Sequence, residues 1–353
     1  MLILQGFYWD CPSDWYNELS FLTGAIAEKG FTDIWLPPPS RGMAGDDSMG
    51  YDIKDHYNLD SKFGTKEELV DLIDKFHYEG INVMADLVMG HMLGGKKEYN
   101  PSLDKDTYTK FDSSLFQKDY KHFCRDCGGC NTRSSFGETI CYYNDNEYMK
   151  KGLIEWATWL KDIGFDNFRL DNLKEMRWDF VKDFFNSFNN FMVGEYWSGN
   201  DVLLEALTDY IDLPLFNFPL FYKLKEMCMN PKSSMKALGT SSNRVNFVSN
   251  HDVERSEPII NNKELAYAYI LFQKEPAVVF WEDYFEYELK DKIDELIKPR
   301  KEFPNDHPYI VHTDDDLYVA ERGNYTLYIN NSLDERTFNE VTVEGQSYKL
   351  EVN

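Results

Sequence analysis

No stretch of this 353-residue chain approaches about 18 consecutive apolar residues, so no transmembrane helix is expected. The start lacks a basic leader and a small-residue cleavage site. Met1 runs straight into LILQGFYW, which reads as a strand, and a cytoplasmic protein is the expectation. Positive charge is scarce: 37 Lys and Arg stand against 61 Asp and Glu, a net charge of −24. Such a surface repels phosphate backbones and anionic headgroups, which argues against nucleic acid or a membrane as partner and suits a neutral substrate. Cysteine is sparse, six in all, and a general disulfide framework is not expected in a chain this long. No GxGxxG follows the first strand candidate, and there is no internal repeat or low-complexity linker. Aromatics are abundant: 23 Tyr, 25 Phe and 8 Trp make up 16% of the chain, far from a disordered composition. Most of them belong in a core, and the rest suit stacking surfaces for flat ligand faces.

Apolar, β-rich runs alternate with longer amphipathic stretches. The strand candidates are 2–9, 32–38, 81–88, 165–171, 191–197, 211–218, 244–250 and 277–284. Helical stretches fall near 14–29, 65–79, 146–163, 177–190, 200–209, 219–237, 262–273 and 286–300. In the second of these, Thr65 and Glu68 have capping-box spacing, Leu69, Leu72, Ile73 and Phe76 form one face, and Gly80 is the stop. Eight alternations predict an α/β chain folded as a (β/α)8 barrel, with an open doubly wound sheet as the other solution. Residues 92–141 are too long for an ordinary loop and read as a small inserted domain. From residue 303 short strands and turns take over, predicting a C-terminal antiparallel β domain over 303–353. The barrel then comprises 1–91 and 142–302.

Charged residues end several strand candidates: Asp86 to His91 in ADLVMGH, Arg169 and Asp171 in FRLD, Glu195 in VGEYW, and His251 with Asp252 in SNHD. A closed parallel barrel brings strand C-termini to one rim. Arg169 and Asp171 share a strand face, and a guanidinium there keeps Asp171 ionised. Glu195 has aromatic flanks and no base adjacent in sequence, so burial would raise its pKa. One ionised and one protonated carboxyl group is what glycosidic cleavage requires.

On these four motifs the chain resembles the α-amylase family of glycoside hydrolases over nearly its whole length. QGFYWD, IWLPPPS and VGEYW look most like the plant and archaeal branch. The resemblance implies Asp171 as nucleophile, Glu195 as general acid/base and Asp252 as the carboxylate that stabilises the transition state. It implies Arg169 orienting Asp171, His91 and His251 bonding the sugar before the scissile bond, and Tyr51 stacking on that sugar, with Asp52 beside it. Asp86 joins the substrate-contacting set, and Lys174 and Trp197 lie toward the leaving group. The implied activity is retaining endo-hydrolysis of α-1,4 bonds in starch, glycogen or related α-glucans. A transglycosylase of the same family and a non-catalytic glucan-binding protein are the alternatives. The partner is an α-glucan oligo- or polysaccharide, and no organic cofactor is expected.

Four positions depart from the family pattern; at one of them Glu275 precedes Pro276 where Gly is usual. Gly90 replaces an Asn that supplies a calcium ligand, and Glu175 replaces a His whose carbonyl completes the site, so a structural calcium is in question. Ser249 stands for an Asp. The cluster Cys124, Cys127, Cys130 and Cys141 offers four thiolates within 18 residues, which suits structural zinc; free thiols or disulfides are the other readings.

Overall fold

The structure, a computed structural model, describes residues 1–92, 98–100, 105–107, 123–124, 138–140, 147–239 and 241–353, with backbone alone over 92–149. Eight strands close into a parallel barrel: β1 (Leu2–Gln5), β2 (Asp33–Trp35), β3 (Asn82–Leu87), β4 (Asn167–Leu170), β5 (Met192–Gly194), β6 (Leu215–Phe216), β7 (Arg244–Phe247) and β8 (Ala277–Phe280). They stand in sequence order around the ring, and β1 pairs with β8 through Leu2↔Ala277 to Gln5↔Phe280. The open sheet is thereby excluded. Nearly every strand residue is buried, as expected where a parallel sheet is covered on both faces.

Each strand is shorter than its apolar run. Past the ladder single amides still reach the neighbouring strand, as Gly6 to the Trp35 carbonyl and Glu195 to the Leu170 carbonyl, but regular pairing has ended. The final stretch of the eighth strand candidate is in fact a helix, Trp281–Phe285. The first helical stretch is two helices, α1 (Trp15–Ser20) and α2 (Thr23–Lys29). The third helix, α3 (Lys66–Tyr78), shows why local sequence suffices there. Thr65 accepts from the Glu68 amide, and the Glu68 carboxylate accepts from the Thr65 amide. Its four apolar residues at helical spacing are fully buried, each stabilising by about 1.5–3 kcal/mol.

The next helices pack around the ring: α4 (Glu147–Ile163), α5 (Trp178–Phe185), α6 (Asp201–Ile211), α7 (Phe218–Met229), the single turn α8 (Val253–Ser256), α9 (Lys263–Phe272), α10 (Trp281–Phe285) and α11 (Lys290–Glu302). Between β3 and α4, three short strands (His91–Met92, Phe123–Cys124 and Glu138–Ile140) form an antiparallel sheet.

The C-terminal region is a four-stranded antiparallel sheet of β9 (Tyr309–Thr313), β10 (Leu317–Arg322), β11 (Tyr325–Asn330) and β12 (Ser347–Val352). Asn339 and Glu340 take positive φ and close a hairpin between Arg336–Phe338 and Val341–Val343. Two buried arginines meet at the end of α9: Arg300 from α11, and Arg322 of β10, which ties this sheet to the barrel. Arg300 donates to the carbonyls of Ile270, Leu271 and Gln273, and Arg322 to those of Phe272, Gln273 and Phe303. They satisfy the orphan carbonyls at the end of α9 and place positive charge at its negative pole.

Candidate active site

Arg169 is the centre of the barrel mouth. It lies on β4, fully buried, opposite Asp86 of β3 in the ladder. Its Nη1 donates to Asp86 Oδ1 at 2.7 Å and to Asp171 Oδ1 at 2.6 Å, and its Nη2 is 2.9 Å from Glu195 Oε2. So Glu195 does have a base beside it. The base comes from the neighbouring strand, where spacing within VGEYW could not reveal it.

Glu195 follows β5 directly. Gly194 before it is required by close approach: a Cβ there would sit 2.4 Å from Leu173 Cδ1. Asn172 takes a left-handed φ of 45° after Asp171, and its amide donates to Glu195 Oε2 at 3.1 Å. The other oxygen, Oε1, is buried with no hydrogen-bond partner among the described residues. Burial pushes the Glu195 carboxyl up to about 7; Arg169 opposes this, and the Asp171 and Asp252 charges reinforce it. One guanidinium cannot neutralise three buried carboxylates, so the one with an unmet oxygen retains its proton.

Asp86 Oδ2 accepts from Trp35 Nε1 at 3.1 Å and from the Tyr51 hydroxyl at 2.8 Å. Its carboxyl is raised by burial, against the pull of Arg169. Asp252 sits before α8 but does not cap it; the Asn250 side chain takes the Asp252 and Val253 amides instead. Burial pushes the Asp252 carboxyl up, but His251 and Arg169 outweigh it and the net shift is downward. His251 Nε2 lies 3.3 Å from Asp252 Oδ2, off the line of a hydrogen bond. His91 Nε2 bonds the Tyr51 carbonyl at 2.7 Å.

These groups surround a cavity of about 200 Å³ lined by Trp9, Tyr51, His91, Asp171, Asn172, Glu195, Trp197 and Asp252. Asp86, Arg169 and His251 are buried beside its lining and outside it. Two further residues expected at the site, Asp52 and Lys174, do not line it either. Asp52 accepts from the Ala44 amide at 2.7 Å and from the Ser48 hydroxyl, which pins the turn before Tyr51. Lys174 lies over the Tyr196 ring at 5.9 Å. Trp197 lines the cavity, stacked on Phe218 and donating to the Tyr222 hydroxyl at 2.9 Å. Trp9 and Asn172 are wall residues that sequence reasoning passed over. Trp9 stacks on Tyr51 at 5.7 Å and on His251 at 5.8 Å. Its only signal was its place four residues beyond β1.

The sequence and the barrel resemble those of known α-amylases. The model for the α-amylase catalytic domain matches residues 24–193. Over that span the chain is similar to the α-amylase family of glycoside hydrolases. It is 27% identical to chloroplastic α-amylase 3 of Arabidopsis thaliana over 319 residues, which is 80% of this chain but 36% of that protein. It is also 27% identical to probable α-amylase 2 of the same plant over 338 residues, 85% of this chain and 80% of that one. Among solved structures, an α-amylase from Geobacillus thermoleovorans complexed with acarbose superposes with a TM-score of 0.78 at 18% identity, covering 99% of this chain and 97% of that one.

Two positions that the resemblance assigns to calcium, Gly90 and Glu175, are among the described residues. A Cβ on Gly90 would face Met176, 3.5 Å from Cγ and 3.9 Å from Sδ, and a thioether is a poor partner for a hard cation. Glu175 Oε2 is buried without a hydrogen-bond partner among the described residues, and the Glu175 backbone keeps the carbonyl that the resemblance assigns to the ligand set. Among the described residues no group of three His, Cys, Asp or Glu could hold a metal. Cys127, Cys130 and Cys141 lie outside the described residues, as does the side chain of Cys124.

Proposed function

We propose that this chain is a retaining hydrolase acting on internal α-1,4 bonds of starch, glycogen or related α-glucans. The observation that carries the reading is that Asp171 and Glu195 sit on adjacent nitrogens of one buried guanidinium, with Glu195 near 7. Arg169 occupies Asp171 Oδ1, which leaves Oδ2 to attack the anomeric carbon. Glu195 gives its proton to the departing glycosidic oxygen as the bond to the leaving sugar breaks. In the second step Glu195, now ionised, takes a proton from water, which displaces the sugar from Asp171 and returns the enzyme to its first state. Asp252, held ionised, faces the positive charge that develops on the ring. Trp9, Tyr51 and Trp197 give the cavity flat aromatic walls for sugar faces.

The test is release of reducing ends from soluble starch by wild type and by Asp171→Asn. The variant should lose turnover by about 10³-fold or more while binding oligosaccharide nearly as well. Substantial residual turnover would remove Asp171 from its role. Accumulation of oligosaccharides longer than the substrate would mark transfer to sugar, and no release by wild type would leave a glucan-binding protein.

A further inference from the structure

Gln5 is the last residue of β1 and is completely buried. Its amide nitrogen lies 2.9 Å from His251 Nδ1, and its Oε1 has no hydrogen-bond partner among the described residues. The other ring nitrogen, Nε2, is 3.3 Å from Asp252 Oδ2. The imidazole cannot turn away. It is stacked on Tyr51 (centroids 5.1 Å apart) and on Trp9, and it abuts Phe7 and Trp35.

A carboxylate only accepts hydrogen bonds. The imidazole nitrogen that faces Asp252 is therefore favoured as N–H. In a neutral ring this leaves a lone pair on Nδ1, which needs a donor. The Gln5 NH2 is that donor. Turning the amide over would set Oε1 against Nδ1, favour a proton there and aim the Nε2 lone pair at a carboxylate. Asp252, Asp86 of β3 and Glu195 of β5 are the acidic groups around the ring, Arg169 of β4 is the cation among them, and burial holds Tyr51 neutral well into alkaline pH. The Gln5 donor against Nδ1 and the Asp252 carboxylate facing Nε2 select the same neutral form.

We propose that Gln5 is a positioning residue that locks His251 as the neutral Nε2–H tautomer, so that the ring turns a donor toward Asp252, the carboxylate that lines the cavity. The kinetic part of this inference rests on the glycosidase reading; the tautomer does not.

The test uses protein carrying 15N in its histidine rings, with His251→Asn to identify the signals. In wild type at neutral pH, His251 should carry its proton on Nε2 alone. Gln5→Glu exchanges the donor for an acceptor of the same shape, so the ring should become imidazolium and stay so to higher pH. The kcat/KM profile should then shift by one pH unit or more. Gln5→Leu should mix the tautomers and lower kcat by about tenfold to a hundredfold with little change in KM. A wild-type proton on Nδ1, or a ring state unaltered in Gln5→Glu, overturns the proposal. Absence of any glucan hydrolysis would fall on the glycosidase reading alone, because the spectra still decide the tautomer. If Gln5→Leu fails to fold, the ring states of wild type and Gln5→Glu are sufficient to support or overturn it.

Discussion

At the scale of single residues, the site is a problem of excess negative charge. Asp86, Asp171 and Glu195 share one guanidinium, and the carboxyl with an unmet oxygen is the one pushed to about 7. Two consequences follow from that shift. A group that must be protonated to act loses activity as pH rises through its pKa, so kcat/KM should fall above about pH 7. The folded pKa also exceeds the unfolded value of roughly 4.3, so the folded state binds the proton more tightly. The penalty is absent below the unfolded pKa, grows as pH rises toward 7, and is complete above it. Glu195→Gln should therefore leave stability nearly unchanged at pH 4 and raise it at pH 8 by up to about 3 kcal/mol. Denaturant unfolding at the two pH values checks this. Equal effects at both would mean that burial has not shifted the group. The sequence disclosed the charged residues because each ends a strand candidate with a motif. It did not disclose Gln5, Trp9 or Asn172. Their roles depend on β1 closing against β8, and on a left-handed turn that aims a backbone amide, neither of which has a local signature.

At the scale of elements, the sequence reads best where local chemistry suffices. The Thr65–Glu68 box and the four-residue apolar face of α3 gave its limits to within a residue. Strand ends read worse, because the buried segments that follow the ladder are as apolar as the ladder itself. The turn α8, which carries Asp252 at its start, could not be read at all. It is held from outside by a buried network: Lys263 Nζ contacts Glu254 at 2.9 Å and Asp283 at 2.6 Å, Ser249 donates to Glu254, and Tyr267 donates to Asp283. Ser249, the departure from the family motif, is thus a working member of this network. Lys263→Met should leave the fully buried Asp283 without its cation and destabilise the fold by about 3–5 kcal/mol. Lys263→Met combined with Asp283→Asn should recover much of that loss. Urea unfolding of both variants tests it. A single variant as stable as wild type would show that the network is solvated in solution.

At the scale of the whole molecule, eight alternations of strand and helix were enough to foresee closure, and closure is what gathers side chains from β1, β3, β4, β5 and β7 into one cavity. The docking of the C-terminal sheet was not legible, since it depends on Arg322 reaching carbonyls at the end of α9. The calcium question also belongs at this scale, because such an ion would tie the segment after β3 to the barrel. Gly90 facing Met176 predicts that a calcium chelator lowers the melting temperature by no more than a few degrees and leaves glucan hydrolysis intact. A drop of tens of degrees, reversed by calcium alone, would mean that oxygens outside the described residues complete a site. The central claim is that Asp171 and Glu195, held on Arg169, cleave α-glucosidic bonds by double displacement. It is tested most directly by following the hydrolysis of a maltooligosaccharide with proton NMR and reading the anomer of the first reducing ends. The α-anomer should appear first and relax slowly to the mixture, and Asp171→Asn should give no signal on that timescale. First appearance of the β-anomer, or equal release by the variant, would contradict the account.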